Sequence, residues 1–185
     1  MMSMDDTFMF GFEESCGYLP GTHVRDKDGI SACLLIAQMA ALYKSRGKDL
    51  IDVLNVLYKK FGYYKNGQVS VEYPGVEGQE KMRDVLSNLR SNPLKEYCGL
   101  KVVSSKDYKE DTKMLVLNGD ENSPDEKLPK ADVLEYSLEG GSKIIVRPSG
   151  TEPKIKVYCF SNAETESKSQ ELLDKFKESA NELLS

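Results

Sequence analysis

Several residue types that often reveal a protein's chemistry are scarce in this sequence. Its 185 residues include no tryptophan, a single histidine, and four cysteines without a CxxC pair. A zinc site needs several nitrogen or sulfur ligands at short spacing, so this composition argues against one. Unpaired cysteines are typical of a reducing compartment. We therefore expect no bound metal in this chain, free thiols, and a cytoplasmic location.

A long hydrophobic run and an excess of positive charge are lacking as well. The longest apolar stretch, near residues 30–42, is interrupted by Gln38 and is too short to cross a bilayer. The N-terminus carries acids where a secretory signal needs bases. The formal net charge is −5, whereas nucleic-acid-binding domains usually have a basic excess. Neither a membrane nor a nucleic acid is expected as a partner, although a local basic pocket for a small anion fits this charge.

The first third of the chain predicts one strand and two helices. Residues 7–12 are almost continuously apolar, as in a strand that is covered on both faces. Apolar residues at helical spacing predict helices over residues 30–46 and 50–61, capped by Asp28 and Asp49. A lone apolar strand lacks edge partners, so this strand-helix-helix segment is interpreted as the remnant of a larger α/β domain. The alternative is that it docks on the rest of the chain.

The rest of the chain, residues 64–185, predicts a self-contained α+β domain. About four strands and two long amphipathic helices follow one another in β-α-β-β-β-α order, with Gly140 and Gly141 at a hairpin turn. Ser161 and Glu164 have the spacing of a capping box before the last helix. The expected fold is a four-stranded antiparallel sheet with two helices on one face.

The segment with the most chemical information is RPSGTEP, residues 147–153, which joins two predicted strands. Gly150 lets the backbone approach a ligand closely, and the amides of Ser149, Gly150 and Thr151 can converge on an anion. Arg147 offers a planar fork that suits phosphate oxygens, and two lysines follow closely. An ordinary polar turn is the alternative for Ser-Gly alone, but the combination favours phosphate binding.

Two polar segments follow the first predicted strand. In FEES, Glu13 can accept hydrogen bonds from sugar hydroxyls and Ser15 can donate or accept them, although a solvated acidic turn explains these residues as well. In HVRDKD, His23, Arg25 and Lys27 alternate before a helix, so in an extended loop they can point the same way. The alternative there is a solvated charged loop that ends in a helix cap.

Taken together, these segments resemble the α-D-phosphohexomutases. FGFEESCGYLPGTHVRDKDGISA and VRPSGTEPKIKVY look like two signature regions of that family, in the branch of phosphoglucomutases and phosphomannomutases with a FEES-type sugar loop. The resemblance covers essentially the whole chain in the same order. Family members have four domains around a deep cleft. The resemblance implies that residues 1–63 are the end of the third, sugar-binding domain and residues 64–185 the fourth, phosphate-binding domain.

The same resemblance implies contacts to the substrate. In the sugar loop, the residues implied are Glu13 and Ser15. In the basic loop, they are His23, Arg25 and Lys27, of which Lys27 is the strongest candidate. In the phosphate-binding loop, they are Arg147, Ser149, Gly150 and Thr151. Family members of the GEMSGH type carry a histidine where this chain has Gly17, so that histidine's role does not transfer, and whether His23 replaces it stays open.

Two elements that the family needs for chemistry are absent from this sequence. It contains neither the Thr-x-Ser-His-Asn-Pro segment of the family's phosphoserine nor an Asp-x-Asp-x-Asp magnesium loop. The resemblance therefore implies no catalytic residue and no metal ligand in this chain. The parent enzyme would use Mg²⁺, with glucose 1,6-bisphosphate as activator and intermediate. Its missing N-terminal domains would be partners of this chain.

The implied function is that of a C-terminal fragment of a phosphoglucomutase/phosphomannomutase-type enzyme. Such an isomerase interconverts hexose 1-phosphate and hexose 6-phosphate through a bisphosphorylated intermediate, and this part supplies sugar and phosphate contacts. By itself the chain is expected to be inactive. A phosphopentomutase parent and a non-catalytic phosphosugar-binding module are the alternatives.

Overall fold

The computed structural model describes residues 8–13, 17–24, 26–109, 115–116, 130–150 and 152–185. The chain separates into two compact units, Met1–Leu57 and Tyr58–Ser185. None of the described helices is long and apolar enough to cross a membrane.

A short hairpin and two helices begin in the first unit. In chain order they are β1 (Gly11–Glu13), β2 (Gly17–Leu19), α1 (Gly29–Ser45) and α2 (Leu50–Phe61). β1 and β2 pair antiparallel. The strand predicted over residues 7–12 therefore lies further along the chain than expected, and Thr7 is outside the described residues. The sequence does not indicate β2, because a strand of three residues shows no alternation of its own.

Aspartate side chains cap both helices of this segment, as the sequence predicts. The Asp28 carboxylate accepts hydrogen bonds from the amides of Ile30 at 3.0 Å and Ser31 at 3.3 Å. Asp49 and Asp52 cap each other reciprocally, since each carboxylate accepts from the other's backbone amide, at 2.8 and 3.0 Å. These bonds satisfy amides that the first turn of a helix leaves without partners.

Helix α1 carries apolar side chains around its whole circumference. Ala32 is its buried residue, whereas Ile30, Leu34 and Ile36 are 85%, 60% and 47% exposed. A helix that is apolar on every side usually lies inside a larger core. In the part of the chain that the structure describes, the first unit thus leaves apolar helix surface uncovered.

Seven antiparallel strands form one sheet among the described residues of the second unit. They are β3 (Tyr63–Glu72), β4 (Glu96–Tyr97), β5 (Leu100–Asp107), β6 (Leu115–Val116), β7 (Leu134–Leu138), β8 (Lys143–Pro148) and β9 (Lys154–Ala163). The sheet has the order β3-β9-β8-β7-β5-β4, and β6 also pairs with β5. The predicted antiparallel sheet and α+β class are confirmed. The predicted count of four strands is wrong: five of the strands have five or more residues, and β4 and β6, with two residues each, are too short to show a sequence pattern.

One hydrophobic core lies between this sheet and two helices, α3 (Gly75–Ser91) and α4 (Glu166–Leu183). Val157 of β9 is fully buried and belongs to the same cluster as Leu89 of α3 and Phe176 of α4. Buried residues alternate with more accessible ones along β7 and β9, so the core lies on one face of the sheet. Both helices cover that face.

Buried tyrosines tie the sheet to these helices. Tyr97 Oη donates to the carbonyl of Phe176 in α4 at 2.8 Å, and Tyr136 Oη donates to the carbonyl of Leu89 in α3 at 3.2 Å. Burial raises the pKa of Tyr136 to about 12, so its hydroxyl remains a donor at neutral pH. A buried polar group without a partner is costly, and these bonds avoid that cost.

Tyr73, the residue after β3, joins three neighbouring segments. Its hydroxyl donates to the carbonyl of Leu184 after α4 at 2.6 Å, and its amide donates to the carbonyl of Pro153 at 2.7 Å. A Cβ built on Gly78 would lie 2.3 Å from the Tyr73 carbonyl oxygen. Glycine at position 78 therefore allows α3 to pack directly against the end of β3.

The predicted capping box at Ser161 and Glu164 is wrong. β9 extends past Ser161, whose buried hydroxyl donates to the carbonyl of Ser169 at 2.8 Å. Thr165 caps α4 instead, since its Oγ accepts from the amide of Lys168 at 3.3 Å. Pairing with β3 places Ser161 on the buried face, and the local sequence does not reveal that pairing.

We expect Gly78→Ala to destabilise the protein, although alanine has the higher helix propensity. The new Cβ would clash with the Tyr73 carbonyl, and overpacking of this kind costs about 1–3 kcal/mol. Gly67→Ala is the matched control, because a Cβ there makes ordinary contacts of 3.5–3.6 Å with side chains of α4. Urea unfolding followed by circular dichroism measures both free energies of unfolding. Unchanged or greater stability of Gly78→Ala would contradict this packing.

Candidate functional site

The predicted site residues fall into two groups, one in each unit. In the first unit, the described ones are Glu13, His23 and Lys27, and those outside the described residues are Ser15 and Arg25. In the second unit, the described ones are Arg147, Ser149 and Gly150, and Thr151 lies outside the described residues. Members of each group line a cavity within their own unit.

In the first unit, the β1–β2 hairpin borders a cavity of about 260 Å³. Its lining includes Glu13, Gly17, Asp26 and Lys27. The Lys27 ammonium donates a hydrogen bond to Glu13 Oε2 at 3.0 Å, and both side chains are about half exposed. The structure therefore brings two predicted residues together as an ion pair. An ammonium donor and a carboxylate acceptor at one cavity can both address hydroxyl groups.

Gly17 makes room for this ion pair. It is buried in β2, and a Cβ on it would lie 2.2 Å from Lys27 Cδ and 3.5 Å from Glu13 Oε2. A side chain at this position would displace Lys27, so glycine is what allows the lysine to lie against the hairpin. The sequence marks Gly17 only as a position where phosphohexomutases of the GEMSGH type carry histidine. Its steric role follows from the fold.

His23 contacts the start of α1. Its Nε2 lies 3.2 Å from the Ser31 hydroxyl and 3.8 Å from Asp28 Oδ2. The pKa of the Asp28 carboxyl lies below its ordinary value because the carboxylate accepts hydrogen bonds. The bond from the Ser31 hydroxyl has the largest effect. His23 is therefore a neighbour of the helix cap, whereas Lys27 from the same loop lines the cavity.

The predicted phosphate-binding loop, residues 147–153, connects β8 to β9 by a tight turn. The Ser149 amide donates to the Lys154 carbonyl at 2.8 Å, and the Ser149 hydroxyl accepts from the Glu152 amide at 3.3 Å. The expectation that three consecutive amides converge on an anion is therefore wrong for Ser149, whose amide closes the hairpin. The Ser149 hydroxyl stabilises the turn through the hydrogen bond that it accepts from the Glu152 amide.

Cationic side chains gather beside this loop. Arg147 of β8 is exposed and lies opposite Lys156 of β9 in the strand register. Lys154 forms an ion pair with Glu152, which raises the pKa of the lysine and lowers the pKa of the glutamate. Like charges that face each other across a ladder destabilise it. Arg147 and Lys156 thus create an electrostatic environment that suits an anion.

A cavity of about 300 Å³ lies between this loop and helix α3. The loop contributes Ser149, Gly150, Glu152 and Pro153, and the helix contributes Gln79, Met82 and Arg83. The sequence does not indicate that α3 takes part, because Arg83 lies far from the loop along the chain. The hydrogen bond from the Tyr73 amide to Pro153 brings the start of α3 and the loop together.

The described residues contain no group of three or more His, Cys, Asp and Glu side chains that could hold a metal ion. Of the acids at the cavities, Glu13 is paired with Lys27 and Glu152 with Lys154. The magnesium expected for the parent enzyme therefore finds no fitting ligand set in the described part of this chain.

Two family models match this chain. Residues 1–61 match "Phosphoglucomutase/phosphomannomutase, alpha/beta/alpha domain III", and residues 100–183 match "Phosphoglucomutase/phosphomannomutase, C-terminal domain". The chain belongs to the phosphoglucomutase/phosphomannomutase family. These matches confirm the resemblance of the two signature regions to the family. The two matched domains are the C-terminal portion of the family's domain organisation.

Relatives of this phosphoglucomutase/phosphomannomutase family member are longer. The chain is 38% identical to a phosphoglucomutase of Staphylococcus haemolyticus over 165 residues, which is 87% of this chain and 29% of the relative. It is 35% identical to a probable phosphomannomutase of Haemophilus influenzae over 177 residues, which is 95% of this chain and 33% of the relative. The chain thus spans about a third or less of the curated relatives it matches.

A solved structure of a phosphoglucomutase has a similar fold. It is the exocytosis-sensitive phosphoprotein pp63/parafusin from Paramecium in its open form, with a TM-score of 0.61 and 21% sequence identity. The match covers 92% of this chain and 29% of parafusin. At this level of identity, the likeness supports the fold.

We expect Gly17→Ala to break the ion pair between Lys27 and Glu13. The alanine Cβ would take the space of Lys27 Cδ, so the lysine must leave the hairpin. A Lys27 ammonium that turns to solvent should react faster with an acetylating reagent, as measured for each lysine by mass spectrometry. Gly11→Ala is the control, since a Cβ there meets its nearest neighbours at 3.4 Å or more. Equal acetylation of Lys27 in both variants would argue against this geometry.

Proposed function

We propose that this chain is the substrate-binding C-terminal part of a phosphohexomutase, which interconverts hexose 1-phosphate and hexose 6-phosphate through a bisphosphorylated sugar. The observation that carries the proposal is the pair of facing cations, Arg147 and Lys156, beside the tight loop at residues 147–153. Family membership supplies the reaction class, since relatives are named phosphoglucomutase and probable phosphomannomutase. A glucose or mannose phosphate is the expected substrate.

The loop between β8 and β9 binds the phosphate group in this proposal. Arg147 donates a pair of charge-assisted hydrogen bonds to the phosphate oxygens, a geometry that suits the planar guanidinium. Lys156 beside it adds a second positive charge. Ser149 and Gly150 shape the turn around the anion, and Thr151 is assigned to the same loop from the family resemblance.

The hairpin of β1 and β2 binds the sugar. Glu13 accepts hydrogen bonds from neighbouring hydroxyls, and Ser15 takes part as the family resemblance implies. Lys27, at 3.0 Å from Glu13 Oε2, competes with these hydroxyls for the carboxylate and turns to the substrate when the sugar binds. His23 and Arg25 belong to the same basic loop, in which His23 holds the segment against the cap of α1.

The chemical step belongs to the rest of the parent enzyme. Phosphoryl transfer requires a phosphoryl donor in line with the sugar oxygen and positive charge near the transferring group. The sequence lacks the family's phosphoserine segment and its triple-aspartate loop. Mg²⁺ and glucose 1,6-bisphosphate are accordingly assigned to the parent enzyme, which we place in the cytoplasm. This chain contributes positioning and charge stabilisation.

The partner of this chain in the proposal is the N-terminal portion of the same enzyme. Matches to this chain take up 29% and 33% of the two relatives. The exposed apolar side chains around α1 support packing against further elements of an α/β domain. Residues 1–63 then form the end of the third domain, and residues 64–185 form the fourth.

A second candidate is a non-catalytic phosphosugar-binding module. The second unit favours it, because its sheet and two helices enclose one continuous core. Both candidates use the phosphate-binding loop, and a phosphopentomutase parent would use it as well. They differ in turnover and in the sugar that is turned over, so an activity measurement separates them.

Arg147→Ala is expected to weaken binding of glucose 1-phosphate to this chain by about tenfold or more, because a lost charge-assisted hydrogen bond costs about 1.5–3 kcal/mol. Arg147 is exposed, so the fold should be unchanged. Lys101→Ala, which removes an exposed positive charge elsewhere on the sheet, is the control. Calorimetric titration at constant ionic strength measures the dissociation constants. Equal affinity of Arg147→Ala and the wild-type chain would remove the loop from the mechanism.

The chain by itself is expected not to isomerise glucose 1-phosphate, even with Mg²⁺ and glucose 1,6-bisphosphate supplied. The sugar loop and the phosphate-binding loop can bind a phosphosugar, but they hold no phosphoryl group to donate. A coupled assay with glucose 6-phosphate dehydrogenase measures the product. Turnover that survives repurification and is lost in Ser149→Ala would show that the chain carries out the transfer itself.

A further inference from the structure

Arg83 brings positive charge from helix α3 to the phosphate-binding loop. It lines the cavity of about 300 Å³ together with Gln79 and Met82 of the same helix, and the loop forms the opposite wall. Its Nε donates to the Gln79 carbonyl at 3.3 Å, which holds the base of the guanidinium along the helix. Within the part of the chain that the structure describes, no carboxylate forms an ion pair with Arg83.

The charges around this cavity suit an anion. Glu152 is the carboxylate in the lining, and its ion pair with Lys154 offsets its charge. The hydrogen bond from Lys154 lowers the pKa of Glu152, so both partners are charged at neutral pH. Arg83 shares the lining of this cavity with the polar residues Gln79 and Ser149. A small anion with several acceptor oxygens matches this set of groups.

Helix α3 holds Arg83 at a fixed place relative to the loop. Leu89 anchors the helix in the core. Gly78 packs against the Tyr73 carbonyl, and the Tyr73 amide donates to Pro153 of the loop at 2.7 Å. Helix and loop are therefore joined through one residue. The backbone of Arg83 is thus fixed relative to the loop, and only its exposed side chain has to be ordered when a ligand binds.

Arg83 and Arg147 approach the loop from opposite faces of the sheet. α3 covers the face that contains buried residues such as Val146. Arg147 follows Val146 along β8, and its side chain therefore points to the other face, where it is exposed. Arg147 does not line the cavity between α3 and the loop, so a single anion can meet both guanidinium groups only at the tip of the loop, beyond the ends of the strands.

We propose that Arg83 is a second phosphate ligand, so that the substrate phosphate binds in the cleft between α3 and the β8–β9 loop rather than on the loop alone. This inference rests on the proposed function, because it concerns the same phosphate monoester. The guanidinium groups of Arg83 and Arg147 lie on two sides of the phosphate in this proposal. They favour a dianionic phosphate over a monoanion of similar size, because each donates charge-assisted hydrogen bonds.

The test measures the affinity of the whole 185-residue chain for glucose 1-phosphate and for inorganic phosphate at constant ionic strength. Arg83→Ala is compared with Lys81→Ala, which removes an equal charge from an exposed position on another side of the same helix. NMR titration of the Gly150 amide reports binding at the loop. Arg83→Ala should raise both dissociation constants by about five- to tenfold, and Lys81→Ala by less than about twofold.

Arg147→Ala, measured in parallel, separates this inference from the proposed function. If Arg147→Ala weakens binding but Arg83→Ala behaves like Lys81→Ala, the inference fails and the proposed function stands. If no variant weakens binding, or the wild-type chain shows no saturable binding, both fail. Weakening by Arg83→Ala alone also overturns the inference, because a shared phosphate requires both arginines.

Arg83→Lys guards against an effect on folding. It keeps the charge and the aliphatic stem but lacks the planar fork, so its affinity should lie between those of the wild type and Arg83→Ala. Urea unfolding of each variant should match the wild type. The inference would be overturned if both variants lost stability and bound equally weakly. In that case Arg83→Lys and Arg83→Ala would unfold at the same lowered urea concentration, and the loss of affinity would follow from the loss of stability.

Discussion

The second unit depends on the pairing of strand β9. This strand of ten residues pairs with β3 along its whole length on one side and with β8 on the other. Its inward residues Ile155, Val157 and Cys159 are fully buried. Burial of one aliphatic side chain of this size contributes about 1.5–3 kcal/mol. Because the predicted phosphate-binding loop leads into β9 and the last helix follows β9, the register of this one strand determines where both lie.

Strands with one buried face could be predicted from the alternation of apolar and polar residues. Strands that are extended only because a neighbouring strand pairs with them could not. Leu134, Tyr136 and Leu138 alternate with more accessible residues, and all three lie in the core. The first six residues of β3, 63–68, are mostly polar, and their pairing with β9 keeps them extended. Ser161 resembles a helix cap in the sequence for a similar reason, since only the partner strand places it on the buried face.

The sequence predicts a site from residue types within one segment, whereas it gives no sign of contacts between segments. Arg147 and Ser149 are predicted phosphate contacts because residue types that suit phosphate occur side by side, and that role stays a prediction. The use of the Ser149 amide inside the turn depends on hairpin geometry, which local residue types do not specify. The approach of Arg83 to the loop and the steric role of Gly17 both arise when distant segments pack together.

Tyr73 links the last residues of the chain to the loop between β8 and β9. Its hydroxyl holds the carbonyl of Leu184, and its amide holds the carbonyl of Pro153. An affinity tag fused after Ser185 that frays the last turn of α4 would therefore disturb the residue that also anchors the loop. We expect local opening at the C-terminus to be coupled to loss of the hydrogen bond from the Tyr73 amide to Pro153, because Tyr73 makes both contacts.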